Sequence, residues 1–471
     1  MRTFQDLQTV LEKENTQQLM QFIRTIIDQY KADNLYRNAV IADKYNRHEN
    51  VTINQYQKLL YKVTGEAVPD NYSADFKMAC RHFHRFITQE NQFLLGNGTI
   101  WEQEDTPDKL GTDRKPFDTQ LQKLGKWALI CGVSYGFFNL DHLEVFNALE
   151  FAPLFDEEDG ALKAGVRFWQ IDKDKPLRAT LYEIDGYTDF IWKQGEGSVL
   201  VEKRPYKLKI RYSEMDGSEI YAKENYPTFP IVPLWGNEEH QSELIGLREQ
   251  IDCYDLIKSG FANTVDESSL LYWTINNAGG MDDVDLAKFV KQIREVHATV
   301  IEDDGSSAES HQIEAPYASR EALLDRLNKD LYRDAMALDT ENISGGAITA
   351  TQIQAAYEPL NSKTDGFEYC VREFVDDILN LAGIDDNVTF TRSMIINTQE
   401  NIQTLLQAAQ FLPGDYVTRK ILAFLGDAGQ ADEILQQMDA DELETMASLV
   451  DRQYQTEGQN EETNQEEEEN S

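Results

Sequence analysis

Seven apolar side chains, Leu244, Leu247, Ile251, Tyr254, Ile257, Phe261 and Val265, recur at intervals of three and four across residues 241–265. That spacing places them on one face of a helix, which would span roughly 37 Å at 1.5 Å per residue. Glu243, Glu249, Asp252 and Asp255 fall largely off the stripe. A second long helical segment, 319–338, carries Leu323, Leu324, Leu327, Leu331 and Leu338. Helices of this length outrun the core of a small domain. The surplus apolar surface must be covered, and neighbouring copies of the chain are the obvious cover.

The segments around this pair divide by texture. Residues 1–35 read as helical, with Leu19, Phe22, Ile23, Ile26, Ile27 and Tyr30 at helical spacing. "NYSADFKMACRHFHRFITQENQFLLGNG" reads as a second helix, capped by Ser73 or Asp75 and ended by Gly96 and Gly98. "TQLQKLGKWALICG" begins a third. From about 133 to 235, short segments rich in aromatic and β-branched residues alternate with Gly, Asp and Pro, the pattern of strands and turns. Pro227, Pro230 and Pro233 then suit a stiff connector. Between the two long helices, 266–316 reads as a mixed insert, with a helix near 283–296, a strand "ATVIED" and a loop "DDGSSAES". After a glycine-bearing loop, a third long helix runs about 348–382, with Pro359 kinking it and Gly383 capping it. Asn397 to Glu400 has capping-box spacing, and "PGDY" starts another helix. The last sixteen residues carry seven glutamates and no apolar side chain, and such a segment cannot fold alone. The fold class expected is α+β, mainly helical.

Charge and motifs narrow the function. The 471 residues carry 83 acidic and 44 basic side chains, a net −39. A chain this acidic repels phosphates on average, although a wall that must not stick to DNA would also be acidic. The four cysteines are widely separated and form no CxxC pair, which fits a reducing compartment. The first residues lack a signal peptide's apolar region, and no run approaches the ~18 apolar residues of a membrane helix. There is no GxxxxGK[ST], GxSxG or HExxH motif. "SGGAITAT" sets glycines before a helix but has no lysine. "CRHFHRF" would align Cys80, His82 and His84 for zinc only on a strand, and the flanking pattern is helical. In "EKRPYKLKIRY", Lys207, Lys209 and Arg211 alternate along one strand face, solvated by default. No cofactor and no metal is expected.

Six segments in order resemble the portal proteins of tailed bacteriophages, in the branch common among siphophages of Gram-positive hosts. They are "NQFLLGNGTIW" (91–101), "GVSYGFFNLD" (132–141), "FAPLFDEEDGALKAGVRFWQID" (151–172), "PIVPLWGNEEHQSELIGLREQIDCYDLIKSGFANTVDE" (230–267), "NISGGAITATQIQ" (342–354) and "FTRSMIINTQENIQTLLQAAQFLPGDYVTRKI" (390–421). The fourth is the most specific. It resembles the family's proline-x-proline connector followed by a helix with Ile-Asp-x-Tyr and Ser-x-x-Ala-Asn. The likeness covers about 20–440.

The resemblance implies a ring of about twelve subunits at one capsid vertex, a conduit for genome packaging and ejection without catalysis of its own. The implied partners are viral double-stranded DNA, terminase, the head–tail adaptor, and the major capsid and scaffold proteins, with no membrane. Assembly would take place in the host cytoplasm. By the same resemblance, 1–235 is a wing, 236–265 a stem helix, 266–316 a clip, and 317–338 a second stem helix. A tunnel loop follows at 339–350, a long kinked helix at 351–383, a crown at 384–455 and a disordered acidic tail at 456–471. Asn342, Ser344, Gly345, Gly346, Thr349 and Thr351 would face DNA from the tunnel loop. Many relatives carry a lysine just after Ser-Gly-x-Ala. Here Ile348, Thr349 and Ala350 follow, which favours a loose polar contact over a charged grip. Candidate channel-lining acids are Glu243, Glu249, Asp252, Asp255, Asp325, Asp330 and Asp334. Asn276, Asn277, Asp282, Asp283, Asp303 and Asp304 would form the clip's partner surface. Two other readings stand beside this one: a phage head or injection protein without a central channel, and a nuclease using acid-bound magnesium.

Overall fold

The computed structural model describes residues 2–61, 65–71, 73–193, 196–212, 219–268, 271–276, 307–312, 317–343, 350–393, 405–425 and 434–438. The chain divides into two compact units, one made of 1–342 and 356–393, the other of 343–355 and 394–471.

Residues 1–35, read as helical from the pattern, hold two helices and the start of a third: α1 (Phe4–Leu11), α2 (Thr16–Ala32) and α3 (Asn34–Asn46). Polar side chains make the breaks. Asn15 accepts from the N–H groups of Gln17 and Gln18 at the start of α2, and Asp33 accepts from Leu35 at the start of α3. A short helix, α4 (Val51–Gln55), follows, and strands β1 (Leu59–Tyr61) and β2 (Ala67–Pro69) pair with each other.

The next helix is shorter than its sequence pattern. It is α5 (His82–Leu95), and residues 73–81 lie outside it, so neither Ser73 nor Asp75 caps it. The Phe76, Met78 and Cys80 N–H groups of that segment are taken up by another helix, described below. Strand β3 (Thr99–Trp101) and helices α6 (Thr106–Leu110) and α7 (Phe117–Cys131) come next. Gly132 ends α7 at φ +89°, and a Cβ there would sit 2.7 Å from the backbone of Gln241, so glycine is required on two counts.

The strand-and-turn region is entirely antiparallel. Strands β4 (Val133–Asn139) and β5 (His142–Asn147) form a hairpin. Strands β6 (Phe151–Phe155), β7 (Leu162–Trp169), β8 (Leu177–Glu183), β9 (Gly186–Lys193) and β10 (Glu196–Arg204) make a meander in the order β10-β9-β8-β7-β6. Helix α2 lays Ile23, Ile26, Ile27 and Tyr30 on it, against Leu154, Val166, Leu181 and Phe190. Strands β11 (Lys207–Tyr212) and β12 (Glu219–Glu224) pair separately.

The proline-rich stretch expected to be a connector is a strand, β13 (Ile231–Trp235), on the edge of a sheet ordered β13-β4-β5. Pro233 is tolerated because an edge strand has one side whose N–H groups need no partner. The larger core gathers under this sheet. It joins α5, α7, β4 and the later helix α10, through Phe86, Leu124, Val133, Phe374 and Ile378 among others.

Helix α8 (Arg248–Ser268) starts seven residues later than the sequence pattern implied. It leads into β14 (Leu271–Asn276), which pairs with β15 (Ser307–Gln312). Ser307 to Ser310, expected in a loop, are therefore strand. The helix and strand expected within 283–303 lie outside the described residues. Helix α9 (Tyr317–Asp334) returns, a 3-10 turn covers Thr340–Ile343, and α10 (Ala350–Ala382) runs continuously through Pro359. Gly383 ends it at φ +71°. Strand β16 (Val388–Phe390) pairs with β3, which ties residues the sequence grouped with the C-terminal segment to the first unit. In the second unit a 3-10 turn covers Ala409–Phe411 and α11 covers Gly414–Leu425. The capping-box residues 397–400 lie outside the described residues.

Candidate functional site

Helices α8 and α9 form an antiparallel pair. At the end of α8, the Arg320 guanidinium of α9 donates to the Gly260 carbonyl at 3.1 Å and to Thr264 Oγ1 at 2.6 Å. Beside it the Phe261 and Tyr317 rings meet edge to face, 5.7 Å between centroids. At the opposite end Gln250 donates to the Asp334 carboxylate. The apolar stripe is spent unevenly along this pair. Leu244, Leu247, Ile251 and Leu331 are buried in the larger core. Tyr254, Ile257 and Phe261 are half-buried. Val265, Tyr317 and Leu323 are 45%, 47% and 44% exposed. The end of the pair farthest from the core thus carries partly exposed apolar side chains.

One polar face of α8 points inward. Arg248, Asp252, Asp255, Ser259 and Asn263 recur at intervals of three and four, the spacing of one helix face. Asp255 Oδ1 accepts from the Cys80 N–H at 2.7 Å, Ser259 Oγ from the Met78 N–H at 2.9 Å, and Asn263 Oδ1 from the Phe76 N–H at 2.7 Å. The register has a simple origin. Four helix residues rise about 6 Å, and two residues of extended chain advance about 6.6 Å, so every second N–H of 76–80 meets the next side chain along α8. Residues 76–80 are thus held out of helical geometry with alternate N–H donors satisfied by α8.

The same face corrects part of the candidate channel lining. Asp255 is 0% exposed and also accepts from Asn50 Nδ2 at 2.5 Å. Burial raises its pKa despite those donors, and raises that of the neighbouring Cys80 thiol to about 12. Asp252 accepts from Tyr45 and, at 2.6 Å, from Thr52 Oγ1. Glu243 belongs to a second internal cluster. Lys363 of α10 lies 2.7 Å from Glu243 and 2.8 Å from Glu90 of α5, while Asn237 donates to Glu243 at 2.7 Å. Burial pushes the Glu90 carboxyl up to about 7, with Lys363 opposing it. For Lys363 burial works against the charge, but the two carboxylates outweigh it and its pKa is raised. Asp252, Asp255 and Glu243 are committed within the protomer because each satisfies donors that would otherwise be buried unpaired.

Of the other acids, Glu249, Asp325 and Asp334 are exposed, and Asp330 is held by Arg326 and Arg333 of its own helix. Asn342 lies within the 3-10 turn and Thr351 in the first turn of α10. Ser344, Gly345, Gly346 and Thr349 lie outside the described residues. So do Asn277, Asp282, Asp283, Asp303 and Asp304, whereas Asn276 ends β14 opposite Ser307.

The residues weighed for metal lie apart in role. His82 Nε2 meets Asn328 at 2.9 Å, and burial lowers its pKa. His84 Nδ1 meets Asn46 at 3.0 Å. Among the described residues no three His, Cys, Asp or Glu side chains are grouped to hold a metal ion. Lys207, on β11, sets its ammonium 4.2 Å from the Tyr226 ring centroid. Sequence reasoning missed Asn50, Glu90, Arg320 and Lys363. The helical interval 252, 255, 259, 263 was the available signal for the inward polar face, but nothing in the sequence marks its partners.

A family profile described as "Phage portal protein, SPP1 Gp6-like" matches residues 11–442. The portal protein of Clostridium phage phiCD119 is 26% identical over 246 residues, 50% of this chain, and the match spans 53% of that relative's length. The portal protein of Bacillus phage SPP1 is 23% identical over 424 residues, covering 82% of this chain and 79% of that protein. Among solved structures, chains from the native gene transfer agent virion and from the neck of the empty particle align over 73% and 74% of this chain. They cover 89% and 90% of their own lengths, at 11% and 10% identity, with TM-scores of 0.44 and 0.45. The profile reaches from α1 past α11, across both compact units, and on that extent the chain belongs to the phage portal protein family of the SPP1 Gp6-like type.

Proposed function

We propose that about twelve copies of this chain close into a ring around a central channel, at one capsid vertex, through which double-stranded DNA enters and leaves a virion. Family membership supports the portal role. The observation that carries the ring is the α8–α9 pair, one polar face of which is used inside the protomer while the apolar Leu323 stays 44% exposed. In this reading α8 and α9 are the stem, and each copy covers its neighbour's apolar end. About twelve copies at −39 each total roughly −470 before ions bind, a wall from which DNA slides because it is repelled. Glu249, Asp325 and Asp334 are the acids proposed to face the channel. The loop 339–350 would touch DNA through neutral groups. The segment beyond Asn276 and before Ser307 would meet terminase and then the head–tail adaptor. The chain itself would catalyse nothing.

The test is the mass and negative-stain image of the purified protein beside Val265→Asp/Leu323→Asp. The wild type is expected as rings and the double variant as folded monomers with unchanged thermal unfolding. Wild-type monomers would overturn the reading and favour a virion protein without a channel, and rings formed equally well by the variant would overturn the assignment of α8 and α9 to the ring contact.

A further inference from the structure

A cleft of about 1400 Å³ opens in the first unit, between α2, the β7–β8 turn and the β9–β10 hairpin. Its charge runs against the rest of the molecule. The chain as a whole has nearly twice as many acids as bases, yet Arg24, Lys173, Lys175 and Lys193 line the cleft against only Asp174 and Glu196. Arg24 pairs with Asp28, 3.2 Å away. Lys173, Lys175 and Lys193 are exposed and have no carboxylate within ion-pair distance among the described residues. Three unpaired ammonium groups from two different turns, converging on one recess of a strongly acidic protein, repel each other. Such a recess is complementary in charge to an anionic partner.

The lining also selects the kind of anion. Gln17 and Gln21 of α2 line the same cleft, and Gln170 after β7 donates its amide to the Lys173 and Lys175 carbonyls at 3.2 and 2.8 Å, which fixes the turn that carries those two lysines. Primary amides offer both donors and acceptors, which suits a peptide backbone. Single-stranded nucleic acid is usually held on exposed aromatic faces. The one aromatic side chain lining this cleft, Trp192, is 9% exposed. We infer that this cleft is a docking groove for an extended, carboxylate-rich segment of another polypeptide, gripped by Lys173, Lys175 and Lys193 and aligned by the Gln17 and Gln21 amides. The inference does not depend on ring formation.

The full-length chain is titrated against a fluorescein-labelled Glu-Ser repeat peptide of about twelve residues, by anisotropy. A Gln-Ser repeat of equal length and a single-stranded thymidine oligonucleotide serve as the other arms. The acidic peptide is expected to bind saturably and to weaken as salt rises from about 50 to 300 mM. Lys173→Glu/Lys175→Glu should weaken it by about tenfold or more. Lys193→Gln, on a different turn, should weaken it less but in the same direction. Lys329→Glu, a charge change on α9, should leave it within about twofold. Absence of binding, or equal loss in Lys329→Glu, would overturn the inference. Tighter binding of the oligonucleotide than of the acidic peptide would also overturn it and assign the groove to nucleic acid.

Discussion

Asp255 shows how one side chain can look like a surface acid and act as a structural one. It sits on α8, a helix rich in acids, but its two oxygens hold the Cys80 N–H and the Asn50 amide in a site closed to solvent. Removing it strands both donors. Asp255→Ala should therefore cost about 2–4 kcal/mol of stability, the range for buried groups left unpaired. Asp255→Asn keeps one acceptor and should cost less. Denaturant unfolding of the two variants checks the order, and an Asp255→Ala variant as stable as wild type would refute the assignment. Ser259 and Asn263 repeat the same task with uncharged acceptors. The Ser-x-x-Ala-Asn motif that marked the family in the sequence is thus, in the structure, part of the device that holds residues 76–80 to α8. Its residue types were legible; the backbone they hold was not, because donor and acceptor lie about 180 positions apart.

Among the elements, α5, the segment before α8, and α10 are tied by Glu90, Glu243 and Lys363. Lys363 is the only cation in contact with both carboxylates among the described residues, so Lys363→Met leaves two partly or fully buried acids facing each other. Losing one partner of such a group costs about 3–5 kcal/mol. The cost should depend on pH in a set direction. The folded-state pKa of Glu90, about 7, lies above its ordinary 4.5. The folded protein therefore holds a proton that the unfolded chain has released. That contribution to stability is complete below about pH 4.5 and is lost as pH rises through about 7. Without Lys363 the carboxyl is harder still to ionise. The melting-temperature deficit of Lys363→Met relative to wild type should be largest at pH 8 and shrink toward pH 5. A deficit that is flat across this range would count against the cluster as the source.

For the whole molecule, the proposed acidic channel makes two demands. Charge reversal of the exposed acids, Glu249→Lys/Asp325→Lys/Asp334→Lys, should slow DNA packaging at low salt and recover as salt screens the new cations. Packaging unchanged at low salt would refute the repelling wall. Deleting 341–347, within the proposed tunnel loop, should leave ring assembly intact and impair packaging. Normal packaging by the deletion would refute the loop's role. Local patterning was enough to identify the helical and strand-rich regions, the long amphipathic helices, the acidity and the family likeness, since periodicity, composition and ordered motifs are all properties of neighbours in sequence. Tertiary structure alone decided which polar face of α8 turns inward, that residues 73–81 are a strap and not the start of a helix, that the proline stretch is an edge strand, and which acids remain free. Each of those outcomes depends on where a buried donor or acceptor finds its partner, and those partners lie far away along the chain.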